Sequence, residues 1–458
     1  MRKIWGTLIV LTTQVVEVQL PSQKEKTKKR DGKKYHIAAM TFSGWRSGRG
    51  PRSRTYEQEI QLENVRMSQE QVLTNTKEHL VSHDEIIARA REIAPRLKER
   101  ALQAEADRCV PVATIDDFKQ AGLIRMIQPR HYGGQEMGWD VLCEVTEILA
   151  TACGAQAWIQ RICCGHAQIL ATFLPEAQED VWGKNHNTLI SASFDPVGRG
   201  RPVDGGFVYS GRHGFSSGID HCDWHICGGY VVEDDKRDGP YFFLVPRSDI
   251  EIIDDWHTIS LRGTGSKSFE VKDVFVPAHR LLDVRKARDG HGPGTVVNTA
   301  PVYRTPRGGI TSTGFAALTV GMAKGVLEDW YDYTRPRKSR GVPIGAKESV
   351  QVLAAQASAE IEAAHLLYFS QISNAQRKLE AGESFSELEL AKSRRNVGFA
   401  CKLALEAGTR LFNAAGGRAL FEGRSLERQY RNLIGAASHH AVNWETQAAS
   451  YGKIVLEP

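Results

Sequence analysis

The sequence predicts an α+β fold in three consecutive parts: helices, a small β domain, then a longer set of helices. Three observations carry this reading. Between residues 188 and 283, β-rich runs at Gly206–Ser210, Trp224–Val232, Tyr241–Val245 and Ser268–Val276 are separated by Gly, Asp and Pro turn signals. Before this block, apolar residues recur at helical spacing and no comparable strand pattern occurs. After it come Ala-rich stretches with apolar stripes, as in packed helices. The middle is therefore expected to be a small antiparallel barrel or sandwich, and the last part a four-helix bundle.

In chain order, residues 1–66 stand apart. They carry 14 Lys/Arg against 6 Asp/Glu, which leaves the remainder near −3 although the whole chain is +5. The apolar run at the start is too short to span a membrane. The Lys-rich and RSGRGPRSR stretches read as disordered, and Met67 reads as an alternative start. The whole chain, with 41% hydrophobic and 25% charged residues, has the composition of a globular protein; the part after residue 66 has the charge balance of an ordinary enzyme, and no basic face for nucleic acid is expected there.

Ser82-His83-Asp84-Glu85 suits a helix start, with a helix through Ile86–Ala104. Ile115–Ala121, Asp140–Ala152 and Gly154–Phe173 follow as helices. After the β block, a Gly/Pro/Arg-rich linker, Ala287–Gly309, leads to helices at Ile310–Arg335, Lys347–Ala381, Ser384–Phe412 and Ser425–Tyr451. The expected boundaries are 1–66 for a disordered or non-native extension, 67–185 for the N-terminal helical domain, 186–290 for the β domain and 291–458 for the bundle.

The β block also holds the most suggestive chemistry. Phe215-Ser216-Ser217-Gly218 offers two hydroxyls and backbone N–H groups beside an aromatic ring. Leu261-Arg262-Gly263-Thr264-Gly265-Ser266 adds a cation and hydroxyls on a backbone that can approach a planar ligand closely. Such groups suit a large heterocycle with polar edges. The eight cysteines have no CxxC spacing and lie mostly in apolar runs, so they read as buried thiols of a reducing cytoplasm. No His/Cys cluster has ligand spacing, so no metal is expected. His166 in ICCGHAQILATF, and His439 and His440 in RNLIGAASHHAVNWE, are the histidines set in apolar helical surroundings.

The order SxSFxPxG, GxxxFSSGxxHCxW, then LRGTGS and FxVxDVFVPxxR resembles the acyl-CoA dehydrogenase fold. Within that fold it is most similar to the oxygenase components of two-component flavin-dependent aromatic hydroxylases. The resemblance runs from about Ser82 to the C-terminus. It implies reduced flavin (FMNH2 or FADH2) and O2 as cosubstrates, a C4a-hydroperoxyflavin, a small phenolic or indole-like substrate, and a homotetramer formed through the bundle. His166 and His439, with His440 as the fallback, are implied to orient and deprotonate the substrate, assisted by Ser193. Ser217 and Arg262 are implied to hold the flavin, with Ser191, Ser193, Phe215 and Ser216 lining it. Arg340, Asn413, Gly416 and Gly417 are implied to reach the cofactor across a subunit interface. Arg431-Asn432 matches a pair after which many acyl-CoA dehydrogenases place a catalytic Glu about nine residues on. Here that stretch is His440-Ala441-Val442, which favours the monooxygenase over a dehydrogenase. No G-x-G-x-x-G strand–helix unit occurs, so a separate NAD(P)H-dependent reductase is expected to supply the reduced flavin. The alternatives are oxidation of an acyl thioester and a non-catalytic binding role.

Overall fold

The computed structural model describes residues 80–457 except 235 and 289, all within one compact unit. The expected extension 1–66 and the Met67 start lie outside the described residues. The first helices are α1 (His83–Glu99), α2 (Ala101–Asp107), α3 (Val112–Gln120), α4 (Trp139–Ala152), α5 (Gly154–Leu170) and α6 (Pro175–Trp182). Ser82 caps α1 by accepting from the Glu85 N–H. The helix expected through Ala104 breaks at Arg100 into α1 and α2. Every residue of α5 is buried, so this helix passes through the interior rather than along the surface.

The strands are β1 (Ile190–Val203), β2 (Gly206–Ser216), β3 (Trp224–Glu233), β4 (Lys236–Pro246), β5 (Glu251–Ile253), β6 (Lys267–Pro277) and β7 (Leu281–Asp283). They form one sheet in the order β5-β6-β2-β1-β3-β4-β7. Two features differ from the expected antiparallel barrel or sandwich. β1 and β3 pair in parallel, because the chain crosses over at residues 217–223 instead of making a hairpin. The sheet also stays open: its edges are the three-residue strands β5 and β7, too short to carry closure. Period-2 alternation divides its side chains between two cores. Ile190, Ala192, Phe242 and Leu244 pack with α5 and α6, while Phe243, Val245, Tyr209 and Phe269 fill the opposite face.

A short α7 (Val284–Ala287) leads into the segment before α8 (Thr313–Thr334). This segment, expected as a linker, is packed. Tyr303 is buried and donates to the Ile127 carbonyl, and buried Asn298 donates to the Ala171 carbonyl. Next comes the small hairpin β8 (Lys338–Ser339) and β9 (Val342–Pro343). The last helices are α9 (Glu348–Glu380), α10 (Glu387–Ala415), α11 (Ser425–Ala437) and α12 (Trp444–Leu456). The expected helix Ser425–Tyr451 is two helices, because the chain turns at His439 and Asn443 recaps α12 by accepting from the Thr446 N–H. The N-terminal helices and the C-terminal helices share one apolar core, from Ile86 and Leu97 to Val326 and Ala404. No helix among the described residues is long and apolar enough to cross a membrane.

Candidate functional site

The site begins where the LRGTGS loop meets α11. The Leu261 N–H donates to Asn432 Oδ1 at 2.8 Å, and Arg431 donates to the Ile259 carbonyl at 2.7 Å. Arg431 also pairs with Glu105 at 2.5 Å and with Glu427. A Cβ at Gly435 would lie 1.9 Å from Ser260 Oγ, so only glycine lets α11 approach this closely. From the other side, the Gly218 N–H donates to the Thr264 carbonyl at 2.9 Å. Two bulky residues hold left-handed backbone here, Phe215 (φ 57°) and Leu261 (φ 51°). Such strain persists where surrounding contacts over-determine the conformation, often at functional sites.

The clamped loop orders a relay of buried hydroxyls. The Trp158 Nε1–H donates to Ser217 Oγ at 3.2 Å; Ser217 and Ser266 are 2.7 Å apart, as are Ser266 and Thr264. Thr264 spends its only hydroxyl proton on the Leu261 carbonyl at 2.8 Å. Ser266 must therefore donate to Thr264, and Ser217 to Ser266. Ser217, already accepting from Trp158, is left with a lone pair and no proton to offer a further group.

Trp158 also joins an aromatic group. The His439 ring stacks on Phe315 at 4.0 Å and meets the Trp158 edge at 5.7 Å. The Ala441 N–H donates to His439 Nδ1 at 3.2 Å. Burial, with His440 and Arg161 nearby, pushes the His439 pKa down to about 3. The ring is therefore neutral with its proton on Nε2: a donor at that edge. His440, the fallback, is exposed. Buried Arg161 lies 3.9 Å over Phe315 and 5.5 Å over Trp139, donating to the Thr311 carbonyl at 2.9 Å.

His166 has the complementary polarity. It is 6% exposed, and its Nδ1–H donates to the Ile190 carbonyl at 2.7 Å, so Nε2 carries the lone pair. Burial, reinforced by Arg161 and Arg307, lowers its pKa to about 4. Ser193 donates to the Gly214 carbonyl at 2.9 Å. The ring of Phe194 stands edge-on to His166 at 5.6 Å and is 39% exposed.

Other expected residues are placed differently. Ser191 and Ser216 have no exposed surface: Ser216 donates to Ser191, which donates to His225 Nδ1 at 2.6 Å, so their hydroxyls are used inside the sheet rather than lining a pocket. Arg262 turns to the Thr258 carbonyl at 2.8 Å and lies 3.6 Å from Glu105 and 3.7 Å from Glu422, so carboxylates offset its charge. The Phe215 ring is 76% exposed, edge-on to Trp256 at 5.9 Å. Arg340 lies exposed at the hairpin tip, and Asn413, Gly416 and Gly417 lie exposed at the end of α10. Sequence reasoning passed over Trp158, Phe315, Arg161 and Arg307. Arg161 did leave a signal, a charge in the middle of an otherwise apolar helix.

These residues fit a flavin. Ser217 offers an acceptor, and reduced flavin bears an N–H donor at N5, whereas oxidised flavin bears a lone pair there. The exposed Phe215 ring provides an apolar face for a flat heterocycle.

Residues 81–185 match the acyl-CoA dehydrogenase N-terminal domain and residues 313–444 the acyl-CoA dehydrogenase C-terminal domain. The chain is 35% identical to the flavin-dependent monooxygenase oxygenase subunit HsaA of Rhodococcus jostii (strain RHA1), over 79% of this chain and 95% of that protein. It is 32% identical to the FADH(2)-dependent resorcinol hydroxylase oxygenase component of Rhizobium sp. (strain MTP-10005), over 82% and 94%. The crystal structure of 3-HSA hydroxylase from Rhodococcus sp. RHA1 superposes with a TM-score of 0.79 at 34% identity, covering 82% of this chain and 98% of that one. The chain therefore belongs to the oxygenase components of flavin-dependent monooxygenases, built from acyl-CoA dehydrogenase domains.

Proposed function

We propose that this chain accepts reduced flavin, FMNH2 or FADH2, from a separate NAD(P)H-dependent reductase and uses O2 to hydroxylate a small phenolic or indole-like substrate. When bound, the flavin supplies the electrons that activate O2, one oxygen atom going to the substrate and the other leaving as water. The observation that carries the reading is the oriented relay from Trp158 to Thr264, which makes Ser217 an acceptor suited to the reduced cofactor.

His166 and His439 then act on the substrate with opposite polarity. His166 Nε2 accepts the hydroxyl proton of a phenol, which raises electron density on the ring. His439 Nε2–H donates and orients; in this tautomer it is not a base. Phe194 and Phe315 give the ring apolar walls, and Ser193 fixes the Gly214 carbonyl at the strand end. Arg262 and Phe215 bound the flavin side of the site.

The division into 67–185, 186–290 and 291–458 is part of this proposal, as is a homotetramer. Its support is the exposure of Arg340, Asn413, Gly416 and Gly417 in the single chain, next to Leu420 and Phe421 at 67% and 65% exposed. Eight unpaired thiols support a reducing, cytoplasmic setting.

The test is anaerobic titration with FMNH2 and FADH2, then rapid mixing with oxygenated buffer. A transient absorbing species that precedes oxidised flavin supports the proposal. One-step reoxidation, together with retained oxidised FAD and its bleaching by an acyl-CoA, overturns it in favour of a dehydrogenase. Failure to bind any flavin favours a non-catalytic role.

A further inference from the structure

Arg307 is the least conventional cation near the site. It lies in the segment just before α8, and its guanidinium carbon is 4.9 Å from the ring centroids of both Phe194 and Phe242. Desolvation alone acts on it, with no carboxylate among the described residues to match its charge, and burial lowers its pKa to about 10. A cation taken out of water is ordinarily paired, because the desolvation cost is otherwise uncompensated. The neighbourhood adds positive charge. The Arg288 guanidinium rests against Gly308, and Arg394 donates to the Gly308 carbonyl while feeling the charge of Arg288. Arg161 differs from the half-buried Arg307: it is 7% exposed, donates to the Thr311 carbonyl and is packed under Phe315. Phe194 and Phe242, whose ring centroids are 5.2 Å apart, lie together on one side of the Arg307 guanidinium, and its N–H groups make no side-chain hydrogen bond among the described residues. Phe194 joins it to His166, whose neutrality Arg307 reinforces.

We propose that Arg307 selects an aromatic substrate bearing a carboxylate, gripping that group with its N–H fork while His166 holds the ring hydroxyl. This rests on the function proposed above. The planar fork matches a carboxylate bidentately, Phe194 and Phe242 pack against one side of it, and a neutral substrate would leave its donors unpaired. Arg288 and Arg394 would draw an anion towards Arg307.

The experiment uses the full-length protein under argon, with and without reduced FMN, and calorimetric binding of 4-hydroxybenzoate, 3-(4-hydroxyphenyl)propanoate, their amides and their O-methyl ethers. The expected result is that one acid binds roughly 10- to 100-fold more tightly than its amide, the range of a charge-assisted hydrogen-bonded pair. Arg307→Met should abolish that ratio without changing the amide's affinity, and Arg307→Lys should restore part of it. The proposal is overturned if no acid binds, if acid and amide bind alike, or if the ratio survives Arg307→Met. It is also overturned if O-methylation removes the Arg307 dependence, because the anion recognised would then be the phenolate. An acid preference without a flavin transient on oxygen mixing would leave this assignment standing and sink the monooxygenase reading; the opposite pattern would do the reverse.

Discussion

Thr264→Val tests the hydroxyl relay directly. The substitution keeps the side-chain shape but removes the group that accepts from Ser266 and donates to the Leu261 carbonyl. Ser266, without its acceptor, can turn its proton to Ser217, which is 2.7 Å away and then free to donate outward. The site would change from acceptor to donor. Two buried neutral hydrogen bonds are lost, at about 0.5–1.5 kcal/mol each, so a stability loss of about 1–3 kcal/mol is expected. At the cofactor, about 1 kcal/mol moves against the reduced form and a similar amount in favour of the oxidised form, so the ratio of the two affinities should shift about 30-fold. For a two-electron couple this lowers the bound potential by about 40 mV. The assay is paired titration with oxidised and reduced FMN and FAD under argon, with the potential measured by dye equilibration and Thr264→Ser as the control that keeps the relay. If Thr264→Val weakens both oxidation states by the same factor, the relay does not orient Ser217 and the argument for reduced flavin is lost.

Three other perturbations probe separate parts of the structure. His166→Asn removes the Nε2 acceptor; hydroxylation should fall by roughly 10²-fold while flavin oxidation continues, seen as hydrogen peroxide replacing product. Gly435→Ala places a methyl against Ser260 and should cost about 1–3 kcal/mol of stability while loosening the Leu261–Asn432 bond, read as a lower Tm and weaker flavin binding. His166, His213 and His225 are buried, and burial lowers their pKa values to about 4, 4 and 3. The unfolded chain therefore takes up more protons than the folded one below about pH 6.5, and stability falls as pH drops from there towards 4. Each group would contribute up to about 2 kcal/mol of loss at pH 5. Thermal melts should show this decline below pH 6.5 and little change between pH 7 and 8.

Local pattern was enough for much of this molecule. β-rich runs between turn signals located β3 and β6 and about half of β2 and of β4, and helical spacing located α4, α5, α8, α9 and α10 with small errors at their ends, because composition and helical spacing are properties of consecutive residues. The turn motifs around Ser217 and LRGTGS stood out from local composition, whereas His166 and His439 were singled out only through the family resemblance. What the sequence could not determine depends on contacts between distant segments. The parallel pairing of β1 with β3 and the open sheet are long-range choices. So is the burial of Ser191 and Ser216, whose hydroxyls look no different in sequence from that of Ser217 but are consumed by each other and by His225. The helix expected through Tyr451 breaks at His439, where a side-chain cap and stacking on Phe315 outweigh continued helical propensity. Arg262, the cation the motif suggested, is neutralised by carboxylates from α2 and the turn before α11. Arg307, in a stretch that read as linker, packs against Phe194 and Phe242 with no carboxylate partner among the described residues. Residue types set which chemistry is available, but the polarity of each donor and the pairing of each charge are set only when distant side chains meet.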